Sequence, residues 1–234
     1  MQESLQRNLD EVLERIEKAA QRVGRDPDDV KLIAVSKTHP VKVLRAALAA
    51  GTSVFGENKV QEAESKIVEI GRGVAEWHLI GHLQSNKVRK AVQLFDVVQS
   101  LDSVELAKRL ERICIEESRE ELTVFVQVDL AGEETKSGIA ESDLPKLVEF
   151  LKTCRCLRFS GLMIVPPYFE NPDGVRPYFR KLREMRDKLL SQNAFANGKG
   201  ELSMGMSHDF EIAVEEGSTV VRVGTAIFGA RSYV

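Results

Sequence analysis

Short apolar, β-rich runs alternate eight times with helical patterns along 234 residues, which predicts a single (β/α)8 (TIM) barrel preceded by an extra N-terminal helix. The length suits that fold, whose usual size is about 250 residues. Its parallel strands are buried on both faces, and VFVQV (124–128) and LMIV (162–165) are nearly continuous apolar runs. The expected strands are Lys31–Lys37, Ser53–Asn58, Glu76–Gly81, Leu94–Ser100, Thr123–Leu130, Arg158–Val165, Glu201–Met206 and Thr219–Gly229.

The helices follow the same map. Leu5, Leu9, Val12, Ile16, Ala19 and Val23 repeat at helical spacing before the first strand, and Gly24 ends the stripe. After that strand, Pro40 is pre-set for a first helical turn, Leu44 and Leu48 share a face, and Gly51 breaks the helix. Asn58 with Gln61, and Asp102 with Glu105, resemble capping boxes. Val175, Tyr178, Phe179, Leu182, Met185 and Leu189 form a further core-facing stripe. The polar stretches AGEETKSG (131–138) and SQNAFANGKGE (191–201) read as loops, and no repeat or linker divides the chain, so residues 1–234 are expected to form a single domain.

Composition removes several function classes. Lysine and arginine total 33 against 36 acidic residues, a net charge of -3, so no basic footprint for nucleic acid is expected. MQESLQRNLDEV is not a leader, and no run approaches the roughly eighteen apolar residues of a membrane span; a cytoplasmic protein is expected. Cys114, Cys154 and Cys156 supply neither a disulfide framework nor a zinc site. His78 and His82 would stand roughly 13 Å apart along a strand, too far to share a metal. Ser207, His208 and Asp209 are adjacent and cannot take up the mutual orientation of a triad.

The chemistry gathers at the two chain ends. Lys37 closes KLIAVSK at the mouth of a buried strand, where an amine loses hydration and becomes a nucleophile toward an aldehyde. SMGMS (Ser203, Met204, Gly205, Met206, Ser207) and RVGT (Arg222 to Thr225) offer hydroxyls, glycines and backbone N–H groups suited to a phosphate. A barrel makes these segments neighbours, because strand eight closes beside strand one and phosphate sites commonly follow strands seven and eight. A phosphorylated aldehyde is the implied ligand. Blander alternatives stay open here: Lys37 as a solvated strand-end lysine, Ser207 as an N-cap, and Arg222, placed in the lumen by two-residue periodicity, as the partner of Asp129 or another acid.

Six segments in order, KLIAVSKTHP, VFGENKVQEAESK, WHLIGHLQSNK, GLMIVPP, LSMGMSHDF and VVRVGTAIFGAR, resemble the YggS/PROSC family of pyridoxal phosphate homeostasis proteins, which is similar to the N-terminal barrel of alanine racemases. The resemblance runs nearly end to end. It implies a Schiff base between Lys37 and pyridoxal 5′-phosphate, with Ser207, Gly224 and Thr225 on the phosphate and Met204 and Met206 nearby. It also implies Arg222 facing the ring nitrogen and Asn58 at the cofactor's edge. Gln99 stands where the family often has His, and Asp129 where Asn is common.

Racemases of this type carry a second domain with a catalytic Tyr, and the chain ends at Val234, just after the eighth strand. The expected function is therefore a monomeric, non-catalytic carrier that hands pyridoxal phosphate to recipient apo-enzymes. A racemase or decarboxylase using the same Schiff base, and a cofactor-free aldolase-like barrel, are the alternatives.

Overall fold

Eight parallel strands close on themselves in the computed structural model, which describes residues 2–132 and 137–229. They are β1 (Lys31–Val35), β2 (Val54–Glu57), β3 (Glu76–Leu79), β4 (Val97–Leu101), β5 (Leu122–Asp129), β7 (Leu157–Met163), β8 (Glu201–Ser203) and β9 (Val220–Val223), with a two-residue β6 (Ile139–Ala140) beside β5. The order β4-β3-β2-β1-β9-β8-β7-β5 is closed by pairing of β4 with β5. The two chain ends meet where Ile33 of β1 is in register with Arg222 of β9.

Nine helices are described: α1 (Gln2–Arg22), α2 (Val41–Ala49), α3 (Val60–Ile70), α4 (Val88–Leu94), α5 (Val104–Glu116), α6 (Leu144–Lys152), α7 (Arg176–Ser191), α8 (Phe210–Glu215) and α9 (Thr225–Phe228). One core lies between helices and sheet, while Ile33, Val97, Phe125, Met163 and Val220 form a separate apolar cluster in the lumen. Gly56 is fitted to that filling, since a Cβ there would come within 2.8 Å of Ile33.

The expected element order is present, with boundaries corrected by hydrogen bonding. β1 stops at Val35 and β8 at Ser203, so Lys37 and Met206 lie on loops above the barrel. The eighth barrel strand stops at Val223, because Gly224 turns the chain into α9. Leu94 belongs to α4, one turn before β4. Neither capping box forms. Lys59 is the N-cap of α3 without a side-chain bond, and Ser103 rather than Asp102 caps α5, its Oγ accepting from Leu106 N–H at 3.2 Å. Val23 falls outside α1 and is exposed. Residues 133–136 of the 131–138 loop, and Ala230 and Arg231 of the last motif, lie outside the described residues.

The extra helix has a definite task. α1 buries Leu5, Leu9, Val12 and Ile16 and packs against α2, α8 and α9. Asn8 Nδ2 donates to Ile227 O at 2.9 Å, and Arg15 and Arg22 pair with Glu211 and Glu215, each at 2.8 Å. α1 thus fixes the two short helices that follow SMGMS and RVGT. No described helix is long and apolar enough to cross a membrane. Leu9→Ala is expected to cost about 2 to 5 kcal/mol through transfer and cavity terms. Urea denaturation checks this: the midpoint should fall with an unchanged slope, whereas a wild-type midpoint would show that α1 does not contribute to the cooperative unit.

Candidate functional site

A cavity of about 340 Å³ opens at the C-terminal ends of the strands where β1, β8 and β9 meet. Lys37, Asn58, Met206, Ser207, Arg222, Gly224 and Thr225 line it, together with Val35, Thr38, His39, Ile80, Val165, His208 and Gly229. Seven of the ten residues singled out in the sequence are therefore brought together. A larger hollow of about 1060 Å³ follows the outer face of α1 among Gln2, Gln6, Asp10 and Glu14; it is a groove along exposed side chains and converges on nothing.

The other three stand behind the wall. Ser203 is fully buried, where it accepts from Arg222 Nη1 at 2.7 Å and donates to Gln99 Oε1 at 2.6 Å. Met204 belongs to the hydrophobic core. Gly205 has φ +96, and a Cβ there would come within 2.5 Å of Ala213 Cβ and 2.9 Å of Phe210 Cα. That glycine lets the loop turn tightly against α8 and so brings Met206 and Ser207 to the cavity.

Ser207 does not cap α8, whose N-cap is Asp209. Instead its Oγ accepts the backbone N–H groups of Gly224 and Ala226, each at 3.3 Å. Two main-chain donors thus converge on one oxygen, an arrangement equally suited to an anionic oxygen. Asp209 secures the loop by accepting from Met206 N–H at 2.6 Å. Burial pushes its carboxyl above the usual range, against that hydrogen bond and the charge of Arg222.

Arg222 does not pair with Asp129. Its Nη1 bonds Ser203, its Nη2 donates to Ile164 O at 2.8 Å, and it is almost wholly buried. Burial pulls its pKa down to about 10 with Asp209 opposing, so the guanidinium stays charged at neutral pH.

Lys37 is half-buried on the turn after β1, and both flanking residues are tied to one buried ammonium. Lys66 Nζ donates to Ser36 O at 2.8 Å and to Glu57 Oε1 and Glu62 Oε1, each at 2.7 Å. Glu57 also accepts from Ser36 Oγ at 2.6 Å, and Glu62 accepts the backbone N–H of Thr38. These contacts hold Thr38 at φ +67, a left-handed conformation that costs a β-branched residue on the order of 1 to 3 kcal/mol.

Ser36, Glu57, Glu62 and Lys66 escaped the sequence reading of the site. The available signal was the i,i+4 spacing of Glu62 and Lys66 inside VFGENKVQEAESK. Among the described residues, no group of three His, Cys, Asp or Glu side chains could hold a metal ion. All three cysteines are free thiols, and burial pushes Cys114 and Cys154 up to about 12.

The geometry defines a class: a (β/α)8 barrel that presents an amine and an anion cradle in one cavity. Comparison with known proteins narrows it. Residues 7–232 match the alanine racemase N-terminal domain family. The pyridoxal phosphate homeostasis protein of Aquifex aeolicus is 44% identical over 225 residues, covering 96% of this chain and 97% of that one. Two structures of PipY from Synechococcus elongatus, solved without and with PLP bound, superpose with TM-scores of 0.82 and 0.77. They are 41% and 39% identical, and each comparison covers 92% of this chain and at least 99% of PipY. Alanine racemase from Corynebacterium glutamicum, at 17% identity and TM-score 0.69, shares the fold, and this chain covers 62% of it. The chain belongs to the alanine racemase N-terminal domain family and, within it, to the pyridoxal phosphate homeostasis proteins.

Lys66→Met should destabilise the fold by about 3 to 5 kcal/mol at neutral pH, because Glu57 is left as an unpaired buried carboxylate. Burial already raises Glu57 above its ordinary value against the pull of Lys66. A raised carboxyl stabilises the folded state in acid, and that contribution is lost as pH rises through the folded-state value. Loss of the ammonium raises it further, so the deficit should narrow as pH falls from about 7 toward about 5. A deficit that is constant across that range in urea titrations would contradict the assignment.

Proposed function

We propose that the protein binds pyridoxal 5′-phosphate in this cavity, with Lys37 as covalent anchor, and carries and buffers the cofactor as part of vitamin B6 homeostasis. One observation carries the reading: Lys37 shares a cavity of about 340 Å³ with the paired N–H groups that meet at Ser207. That volume suits a single small ligand. The family's name and the PLP-bound PipY structure support the same choice of ligand.

When bound, the cofactor supplies an aldehyde that condenses reversibly with an amine, and a conjugated ring that absorbs in the visible. Lys37 supplies the amine at the cavity wall. Gly224 and Ala226 N–H, with the hydroxyls of Ser207 and Thr225, suit the phosphate oxygens; Asn58 and Met206, on the cavity wall, would border the ring. Arg222 only donates hydrogen bonds and stays charged, so it opposes protonation of the ring nitrogen. A ring kept in that form withdraws electrons weakly, which fits storage and transfer better than amino-acid turnover.

We place the protein in the cytoplasm, acting as a monomer that passes the cofactor to recipient apo-enzymes. The free thiols support a reducing compartment.

Protein mixed with pyridoxal phosphate should develop a visible absorbance band that Lys37→Ala lacks. Pyridoxal without its phosphate should bind at least about tenfold more weakly, since it forgoes charge-assisted bonds in the cradle. The common amino acids should not exchange their α-proton with solvent deuterium. An unchanged band in Lys37→Ala would refute the anchor, and rapid exchange would establish racemase-type turnover in place of carriage.

A further inference from the structure

A single file of hydrogen bonds runs from the cavity through the barrel lumen to its opposite end. It starts with Arg222 Nη1 to Ser203 Oγ at 2.7 Å and continues from Ser203 Oγ to Gln99 Oε1 at 2.6 Å. Gln99 Nε2 meets His78 Nδ1 at 2.9 Å, and His78 Nε2 meets Glu76 Oε1 at 2.7 Å. Glu76 also accepts from Lys31 Nζ at 3.0 Å. Glu76 and Lys31 are the first residues of β3 and β1, at the solvent-accessible bottom of the barrel. The four residues between, Arg222, Ser203, Gln99 and His78, are all at least 96% buried.

The file has one direction. A guanidinium can only donate and a carboxylate can only accept, so the two ends are fixed. The bond from His78, with burial opposing, holds Glu76 down at about 2, so the acceptor end is ionised. His78 therefore donates through Nε2. Burial pushes the imidazole below its ordinary value although Glu76 opposes, which leaves Nδ1 as a bare acceptor. Gln99 must then turn its NH₂ toward His78 and its carbonyl toward Ser203. Ser203 donates to that carbonyl, and its remaining oxygen lone pairs receive Arg222. Every donor points away from the cavity, and each amide or hydroxyl orientation is set by the one below it.

We propose that His78 and Gln99 are positioning residues for Arg222: through Ser203 they set the rotation of the guanidinium and so aim its unused N–H groups at the ring nitrogen of the ligand. This rests on the pyridoxal phosphate reading given above. Neither residue lines the cavity, and both act through hydrogen bonds alone.

The test compares the dissociation constants of pyridoxal phosphate and its 1-deaza analogue, in which C–H replaces the ring nitrogen. Wild-type protein should prefer pyridoxal phosphate. In Gln99→Leu and His78→Leu that preference should shrink about tenfold, the worth of one hydrogen bond to a charged donor, while affinity for the deaza analogue is unchanged. His78→Asn keeps an acceptor at the Nδ1 position and should retain the wild-type preference. If a leucine variant fails to fold, the other leucine variant and His78→Asn still decide the matter. A preference that survives both leucine changes, or affinities for the two compounds that fall in parallel, would overturn the positioning role. If wild-type protein bound neither compound, the ligand assignment itself would fall and take this inference with it.

Discussion

One buried ammonium organises the approach to the site. Lys66 holds the backbone before Lys37 through Ser36 O and the backbone after it through Glu62, while Glu57 neutralises it from β2. Burying Lys66 between two carboxylates is costly unless every donor is used, and here all three protons of the ammonium have partners. What such a triad provides is geometry: it keeps Thr38 in a left-handed conformation and thereby sets the angle at which Lys37 leaves the barrel.

The opposite wall solves the same problem with main-chain atoms. Gly205 permits the tight turn after β8, Gly224 brings the end of β9 against Val35, and Ser207 links the two loops through paired N–H groups. α1 braces this wall from outside through α8 and α9. Two rigid supports, one ionic and one built on glycines, thus face each other across a small cavity. The lumen beneath is unusually polar for a TIM barrel, whose interior is commonly filled by branched apolar side chains. Arg222, Ser203, Gln99 and His78 occupy part of it, and each has hydrogen-bond partners.

The barrel was legible because its signal is carried by whole segments. Eight apolar runs at regular intervals survive errors of a few residues at any boundary. The meeting of Lys37 with SMGMS and RVGT followed from topology alone, since the first and last strands of a closed barrel must pair. Finer detail was lost where an expected strand ran past its real end. β8 stops at Ser203 rather than Met206, so SMGMS is a loop in which Met204 packs into the core while Met206 and Ser207 reach the cavity. Capping boxes failed for a related reason: Asn58 is drawn to the cavity and Lys59 takes the N-cap position instead. Of the Lys66 triad only the i,i+4 spacing of Glu62 and Lys66 was legible, because Glu57 lies on β2 and the other two on α3, and only folding shows that a lysine on an otherwise amphipathic helix points inward.

The proposed carriage of the cofactor depends on a covalent link between Lys37 and pyridoxal phosphate with the phosphate seated at Ser207. Borohydride reduction of the protein mixed with stoichiometric cofactor, followed by peptide mass mapping, tests it most directly. The predicted result is one phosphopyridoxyl adduct, on the peptide containing Lys37, with loss of that labelling in competition with excess pyridoxal phosphate added as its unreactive alcohol. Label distributed over surface lysines, or confined to a lysine outside the cavity, would contradict the account.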